Sequence, residues 1–476
     1  MVNGFDPDHA SALSPEARAL IARRERVLGK PYRLFYREPL YLVRGSGVHL
    51  FDAAGNDYLD AYNNVPAVGH SNPRVQQAVA GQLGRLNTHT RYLTDEIVAY
   101  AERLTAKFSP ELSQVMFTCT GSEAVDLAVR MARRITGGEG IIVTRNAYHG
   151  TTASVAEITP SLGPGNPIPA RTALVDAPDS VRGVEGADAA AEFLTQVRGA
   201  IDGFAARGIP FAGMIVDSVL SSDGLRLEPA GFLAAAARMV REAGGLYIAD
   251  EVQPGFGRTG DWWGFSRHGF TPDLVVLGKP MGNGLPIAGV VGSPRVFDAF
   301  GSEVRYFNTF GGNPVSIAAA TAVLDEIEQR SLVAHAADTG HVLASGLRSI
   351  AADLERAGGA ARVAEVRGAG LFLSVEYVDP RDGTTPDPET ALAMVNLLRD
   401  RRILVSASGT YENVLKIRPP LVFDLEAEQE PGSQPHGSQE PGSQQPGLQQ
   451  PSEPLAHRRD SDRFLEGFAA ASREIG

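Results

Sequence analysis

Lys279 follows the apolar run Leu274–Leu277 in PDLVVLGKPMGNGLPIAGVV, with glycines on both sides that permit close backbone approach. A lysine partly buried at such a strand end tends toward a depressed pKa, and its free amine is then a nucleophile for a carbonyl carbon. The plainer reading is a surface lysine, though surface lysines rarely stand between an apolar strand and a glycine-rich turn. Asp250 closes a second apolar run, in LYIADEVQPGFGRTG. A carboxylate there can cap a helix or pair in a loop, and it can also hold a proton on a heterocyclic nitrogen through a charge-assisted hydrogen bond. In FTCTGSEAVDLAVRMARRITG a strand ends at Thr118, a turn of small residues follows, and a helix begins near Glu123. That places the backbone of Gly121 and the hydroxyl of Ser122 at a helix N-terminus, which suits a phosphate. It equally suits an ordinary helix start with Ser122 as its cap. Thr309, with Gly311 and Gly312 in YFNTFGGNPVSIAAA, offers further phosphate donors.

The elements that must position these groups alternate along the middle of the chain. Apolar runs at 115–118, 140–144, 213–216, 246–249, 274–277 and 288–291 read as strands, and amphipathic segments at 124–135 and 232–243 read as helices. Alternation of this kind predicts a largely parallel sheet covered by helices, with ligands at the carboxyl ends of the strands, where Asp250 and Lys279 fall. Ser14 and Pro15 mark the start of an early helix. YLVRGSGVHLFDAAGNDYLD reads as short strands of a minor domain. Two long helices are expected from Pro314 to about 330 and over about 334–356, followed by strands in VRGAGLFLSVEYV and ILVSAS. The division expected is an N-terminal segment with part of a small domain (1–75), a large domain (76–330), a C-terminal small domain (331–426), an insertion (427–457) and a terminal helix (458–476). The insertion holds a tandem ten-residue repeat, QEPGSQPHGS then QEPGSQQPGL. Its composition cannot offset the entropy of ordering, so it is expected to be disordered and passive.

Composition narrows the function classes. With 476 residues, 43% hydrophobic, the chain is long enough for several structural units around a large core. A formal charge of −12 argues against a nucleic-acid partner. No run approaches the ~18 apolar residues of a membrane span, and MVNGFDPDHASALSPEAR has no apolar signal core. The lone Cys119 excludes an internal disulfide framework, and no histidine spacing suggests a metal. A cytoplasmic α/β enzyme is the expectation. Gly255-Phe-Gly257-Arg-Thr-Gly260 matches a dinucleotide-binding pattern, but DWWGFS after it does not read as a helix, so tight-turn glycines are the better reading.

A phosphate cup, a ring-nitrogen carboxylate and a strand-end lysine, in this order, are what pyridoxal phosphate requires. The motifs YLDAYNNVPAVGH, CTGSEAVDLAVRMAR, NAYHG, IADEVQPGFGRTG, VVLGKPMGNGLPIAGVV, YFNTFGGNPVS, VRGAGLFLSVEYV and KIRPPLVF then make the resemblance specific. Over about residues 20–425 the sequence resembles the class III, fold-type-I pyridoxal-phosphate aminotransferases. The resemblance implies that Lys279 forms the Schiff base and shuttles the proton and that Asp250 holds the pyridine N–H. It implies that Gln253 reaches the ring hydroxyl, that Val252 and Tyr148 flank the ring, and that Gly121 and Ser122 cradle the phosphate. It further implies that Thr309 reaches the phosphate of a neighbouring subunit, hence a homodimer with shared sites, and that Arg418 grips a substrate carboxylate. Small amines and 2-oxo acids are the substrates implied, with amino-group transfer the expected reaction.

The departures matter. Val125 stands where the family usually has Asn, GHSNP replaces the commoner GHCHP, and MIVDSVLSSDG replaces a segment close to E-P-V-Q-G-E-G-G. Asp217-Ser218 resembles the branch containing ethanolamine-phosphate phospho-lyases, so phosphate elimination from an O-phosphorylated amine is the alternative reaction; Arg418 leans toward transamination. A cofactor-binding regulator would carry a DNA-binding domain ahead of this region, and only about 40 loosely structured residues precede the first strands.

Overall fold

The structure is a computed structural model, and it describes residues 3–184, 186–425 and 459–475. A seven-stranded sheet forms its centre, in the order Gln114–Thr118, Ala288–Gly292, Leu274–Leu277, Leu246–Asp250, Phe211–Asp217, Gly140–Thr144 and Thr172–Val175. Only Ala288–Gly292 runs antiparallel to its neighbours. The inner strands are buried on both faces, which explains their unbroken apolar sequence. Asp217 lies opposite Asp250 and Asp250 opposite Val276 in the ladders. Three strand ends are thereby brought level, and Lys279 follows two residues beyond the third.

The helix Gly121–Thr136 covers one face, burying Ala124, Val125, Leu127, Ala128, Met131 and Ala132. Its cap is Thr120 and not Ser122. The Thr120 hydroxyl accepts from Glu123 N at 3.2 Å, while the Glu123 carboxylate accepts from Thr120 N and Cys119 N at 2.9 and 2.8 Å. This capping box satisfies the helix start and leaves the Ser122 hydroxyl for other work. Val125 is fully buried in the core and has no part in the turn.

Two further sheets flank the centre. Leu42–Ser46, His49–Asp52 and Asp57–Asp60 form an antiparallel meander, and Ile403–Leu404 joins it parallel to the last strand. Arg362–Ala369, Phe372–Val378, Val414–Ile417 and Ser406–Ser408 form an antiparallel sheet. ILVSAS, expected as one strand, is therefore divided between two sheets at Val405. The helices Pro314–Gln329 and Leu332–Ala357 match their expected places, and Asp460–Ile475 packs on the second of them and on Pro388–Asp400. Residues 255–260 form turns that no α-helix follows, as the glycine reading requires. The repeat at 427–457 lies outside the described residues.

Several elements went unread in the sequence, among them the helices Pro73–Leu83, Asp95–Thr105, Pro294–Gly301 and Pro388–Asp400, an edge strand and a long helix. The edge strand Thr172–Val175 is only four residues long. The helix Gly186–Ala206 contains glycines at 199 and 203 that lower its propensity. Its buried residues Ala189, Phe193, Val197 and Phe204 recur at helical spacing, and that pattern was the available signal. Among the described residues, no helix is long and apolar enough to cross a membrane.

Candidate active site

A cavity of about 200 Å³ opens at the carboxyl edge of the central sheet. Gly121 and Ser122 form one wall, Tyr148 and Val252 two others, and Asp250, Gln253 and Lys279 the floor. Seven of the nine residues singled out from the sequence thus converge on one space. Thr309 does not; it is exposed in the loop before Pro314, outside the cavity. Arg418 stands just behind the lining and reaches it through Gln253.

The backbone at Lys279 has φ +22°, a conformation that side-chain-bearing residues adopt at a cost of about 1–3 kcal/mol. The flanking Gly278 packs beside Val252, where an added Cβ would make ordinary contact with its methyl groups at 3.4 Å. Burial, and then the positive charge of Arg418, hold the Lys279 ammonium below the usual lysine range, against the opposing pull of Asp250 and Asp217. The result is an amine that gives up its proton more readily than a surface lysine.

Asp250 is 5% exposed. One oxygen accepts from Val252 N at 3.1 Å, and the other lies 2.7 Å from Nδ1 of His149, a residue the sequence reading missed. The carboxylate accepts, so Nδ1 carries the hydrogen. Nε2 of His149 is buried without a partner among the described residues. The signal for His149 was its place in NAYHG, beside Tyr148. Glu251, the next residue, turns away and accepts from Gly264 N and Phe265 N at 2.7 and 2.9 Å; burial pushes its pKa up to about 7.

Asp217, noted in the sequence only as a departure from the family pattern, also lines the cavity. Burial and the charge of Asp250 raise its pKa. Its carboxylate accepts from Val219 N at 3.0 Å, from Ser221 N at 3.2 Å and from the Ser221 hydroxyl. Ser221 in turn accepts from Gln253 Nε2 at 2.5 Å, and Gln253 Oε1 accepts from the Arg418 guanidinium. Arg418, Gln253, Ser221 and Asp217 form one directional chain of donors. Gln253, expected on a cofactor hydroxyl, is held here by Arg418 and Ser221. Nε of Arg418 donates to the Tyr62 carbonyl at 3.0 Å, and its guanidinium lies 4.7 Å from the Tyr62 ring centre.

The opposite end of the cavity is built for an anion. The first-turn N–H groups of the helix at Gly121 and Ser122 have no intrahelical partner, and they stand at the positive end of a 16-residue helix. The Ser122 hydroxyl accepts from Thr151 N at 3.1 Å, and Gly150, with φ +139°, comes so close that an added Cβ would lie 2.4 Å from Ser122 Oγ. Gly121 packs on Val252, where a Cβ would meet methyl groups at 3.2 Å. Tyr148, 42% exposed, presents an open ring face at the rim. A flat phosphorylated heterocycle bearing a carbonyl fits this set: anion donors at one end, a buried carboxylate, Val252 and Tyr148 beside a ring, and an amine for the carbonyl carbon.

Comparison with known proteins agrees. Residues 36–431 match the family Aminotransferase class-III. The chain is 40% identical over 423 residues to a protein of Drosophila melanogaster named alanine–glyoxylate aminotransferase 2-like, covering 86% of this chain and 84% of that one. It is 34% identical over 438 residues to ethanolamine-phosphate phospho-lyase homolog 1 of Caenorhabditis elegans, covering 87% and 92%. Among solved structures, a phospholyase from Arthrobacter in complex with phosphoethanolamine superimposes with a TM-score of 0.85 at 40% identity, over 96% of this chain and 100% of that one. An amine transaminase from an uncultivated Pseudomonas species, solved in its PLP-bound form, gives 0.76 at 27% identity, over 92% and 95%. With the fold, the lysine, the carboxylate and the anion cup all in place, the chain belongs to the class-III aminotransferase family and is a pyridoxal-phosphate-dependent enzyme.

Proposed function

We propose that the protein takes the α-proton from an O-phosphorylated primary amine and expels the phosphate from the neighbouring carbon. The observation that carries this reading is the chain of donors from Arg418 through Gln253 and Ser221 to Asp217. It ties the substrate-side arginine to the segment 217–223, where the sequence resembles the phospho-lyase branch. The phosphoethanolamine-bound relative supports the same reading.

Pyridoxal phosphate supplies an electrophilic carbonyl carbon and a ring that withdraws electrons from the substrate's α-carbon. Lys279 would hold the carbonyl carbon until the substrate's amine takes its place, and its released Nζ, easily freed of a proton, would then act as the base. Asp250 would hold the ring N–H, with its charge fixed and oriented by His149. Gly121 and Ser122 would hold the phosphate, and Val252 and Tyr148 would confine the ring between them. Thr309, exposed and outside its own cavity, would complete the phosphate site of a second copy, so we place the enzyme as a homodimer with shared sites. The acidic charge and lone cysteine support a cytoplasmic setting. Once Lys279 has taken the proton, the remaining electron pair breaks the C–O bond. The net change for O-phosphoethanolamine is uptake of one water and release of acetaldehyde, ammonia and phosphate.

Amino-group transfer to a 2-oxo acid is the second reading, favoured by Arg418, whose planar fork suits a carboxylate. Product analysis separates the two. Stoichiometric phosphate and acetaldehyde from O-phosphoethanolamine support elimination. No phosphate, with alanine formed from pyruvate and a simple amine, establishes transamination instead.

A further inference from the structure

The turn 255–260 carries a buried arginine between its glycines. Arg258 is 1% exposed. Among the described residues no carboxylate pairs with it, and its Nε and one of its Nη atoms have no partner. Such burial is costly unless the charge is hydrogen-bonded, and its other Nη donates to two carbonyls, Leu371 O at 3.2 Å and Pro419 O. Its own carbonyl accepts from Leu371 N at 2.9 Å.

Pro419 directly follows Arg418. Gln253, on the same loop as Arg258, accepts from the Arg418 guanidinium. The two bonds close a ring. From the loop 253–258, one side chain meets the head of Arg418 and the other holds the backbone beside its base. Arg418 does not itself line the cavity, but Gln253 does, so its approach to that wall depends on how the ring is held. Bonds to Ala61 O and Tyr62 O tie Arg418 to the N-terminal meander, while Gln253 and Arg258 tie it to the loop that follows Asp250. That loop has little room to move. A Cβ at Gly260 would lie 2.9 Å from Ala337 Cβ, and one at Gly370 would lie 2.5 Å from the carbonyl carbon of Thr259. The turn is thereby pressed between the helix Leu332–Ala357 and the residue before Leu371.

We propose that Arg258 is a positioning residue for substrate binding: it holds the backbone at Pro419 so that the Arg418 guanidinium meets Gln253 at the cavity wall. This rests on Arg418 as the substrate-side arginine, and it applies to elimination and transamination alike.

The test uses the full-length, cofactor-loaded enzyme, with phosphate release from O-phosphoethanolamine and alanine formation from pyruvate and a simple amine as parallel assays. KM is read for O-phosphoethanolamine or for pyruvate, according to the reaction that wild type performs. Arg258→Met is expected to raise KM by about tenfold or more with a smaller change in kcat, because the group it places binds substrate away from the reacting bond. Arg258→Lys, which keeps the charge on a shorter side chain, should lose less. Arg418→Met should raise KM at least as far, and adding Arg258→Met to it should raise KM little further. A merely structural role would add its full effect to that of Arg418→Met. KM equal to wild type in every folded Arg258 variant overturns the proposal, as does an additive double variant. If Arg258→Met does not fold, Arg258→Lys, alone and combined with Arg418→Met, supplies the same comparison. KM unmoved in Arg418→Met removes the substrate-side arginine itself, and a wild type that performs neither reaction removes both readings of the function; either result overturns the proposal too.

Discussion

Nδ1 of His149 lies 2.7 Å from Oδ2 of Asp250, and both residues are buried. Buried carboxylate oxygens need hydrogen-bond partners, and His149 and Val252 N supply them to Asp250 here. His149→Ala is expected to slow α-proton removal by roughly 10–100-fold, the usual loss when an outer hydrogen-bonding partner is removed. Asp250→Asn should cost more, with the fold retained. Single-turnover absorbance changes with a deuterated amine read the step directly, and an unaltered rate in both variants removes the pair from the mechanism.

Lys279 is strained as well as more easily deprotonated than a surface lysine. Lys279→Ala should abolish turnover and leave the cofactor bound only non-covalently, and borohydride reduction of the wild type should label Lys279 alone. A different labelled lysine overturns the assignment. Because φ is +22°, Lys279→Gly should be more stable than Lys279→Ala by about 1 kcal/mol, measured by denaturant unfolding of the cofactor-free proteins.

Gly150 makes a narrower point about the anion cup. A methyl group there falls 2.4 Å from Ser122 Oγ and 2.8 Å from Ser122 Cα, at a φ of +139° that alanine avoids. Gly150→Ala should therefore weaken cofactor binding by about tenfold or more, read by absorbance titration of the cofactor-free enzyme. Cofactor affinity equal to wild type would show that the Ser122 turn moves freely.

Glu376, fully buried, meets Arg367 at 2.6 Å and Arg226 at 3.1 Å, and pairs with Arg182. It joins the strand Phe372–Val378 to two arginines from the segments beside the central sheet. Glu376→Ala leaves three arginines crowded without their shared anion, and should destabilise the protein by about 3–5 kcal/mol. The positive charges of Arg367, Arg226 and Arg182 hold its pKa down to about 2, against the effect of burial. The native carboxylate thus binds fewer protons than the unfolded one between about pH 4.5 and 2. Its stabilisation is complete above that window and is lost as pH falls through it. Acid titration of melting temperature should show a shallower decline over pH 4.5–2 in Glu376→Ala than in wild type.

What could be read from the sequence was whatever a strand end or helix start determines locally. Lys279, Asp250, Gly121 and Ser122 follow short apolar runs whose direction fixes where the next residue lies. The cap was legible too, since Thr120 and Glu123 have capping-box spacing, but a neighbouring serine offered an equally good cap. His149, Asp217 and Ser221 depend on ladder register and on contacts between segments about 30 to 100 residues apart, which no local pattern records. Thr309 matched its motif and stands outside the cavity of its own chain.

The pairing of Ile403–Leu404 with Leu59 and Asp60, and the hydrogen bonds from Arg418 to the carbonyls of Ala61 and Tyr62, bear on biosynthesis. At roughly 5–20 residues per second, the ribosome delivers residue 404 some 17–70 s after residue 60. During that interval the N-terminal meander waits with an open edge, while the lysine, carboxylate and anion cup already have all their residues outside the tunnel. The nascent enzyme can therefore meet its cofactor before it owns the arginine proposed to meet its substrate.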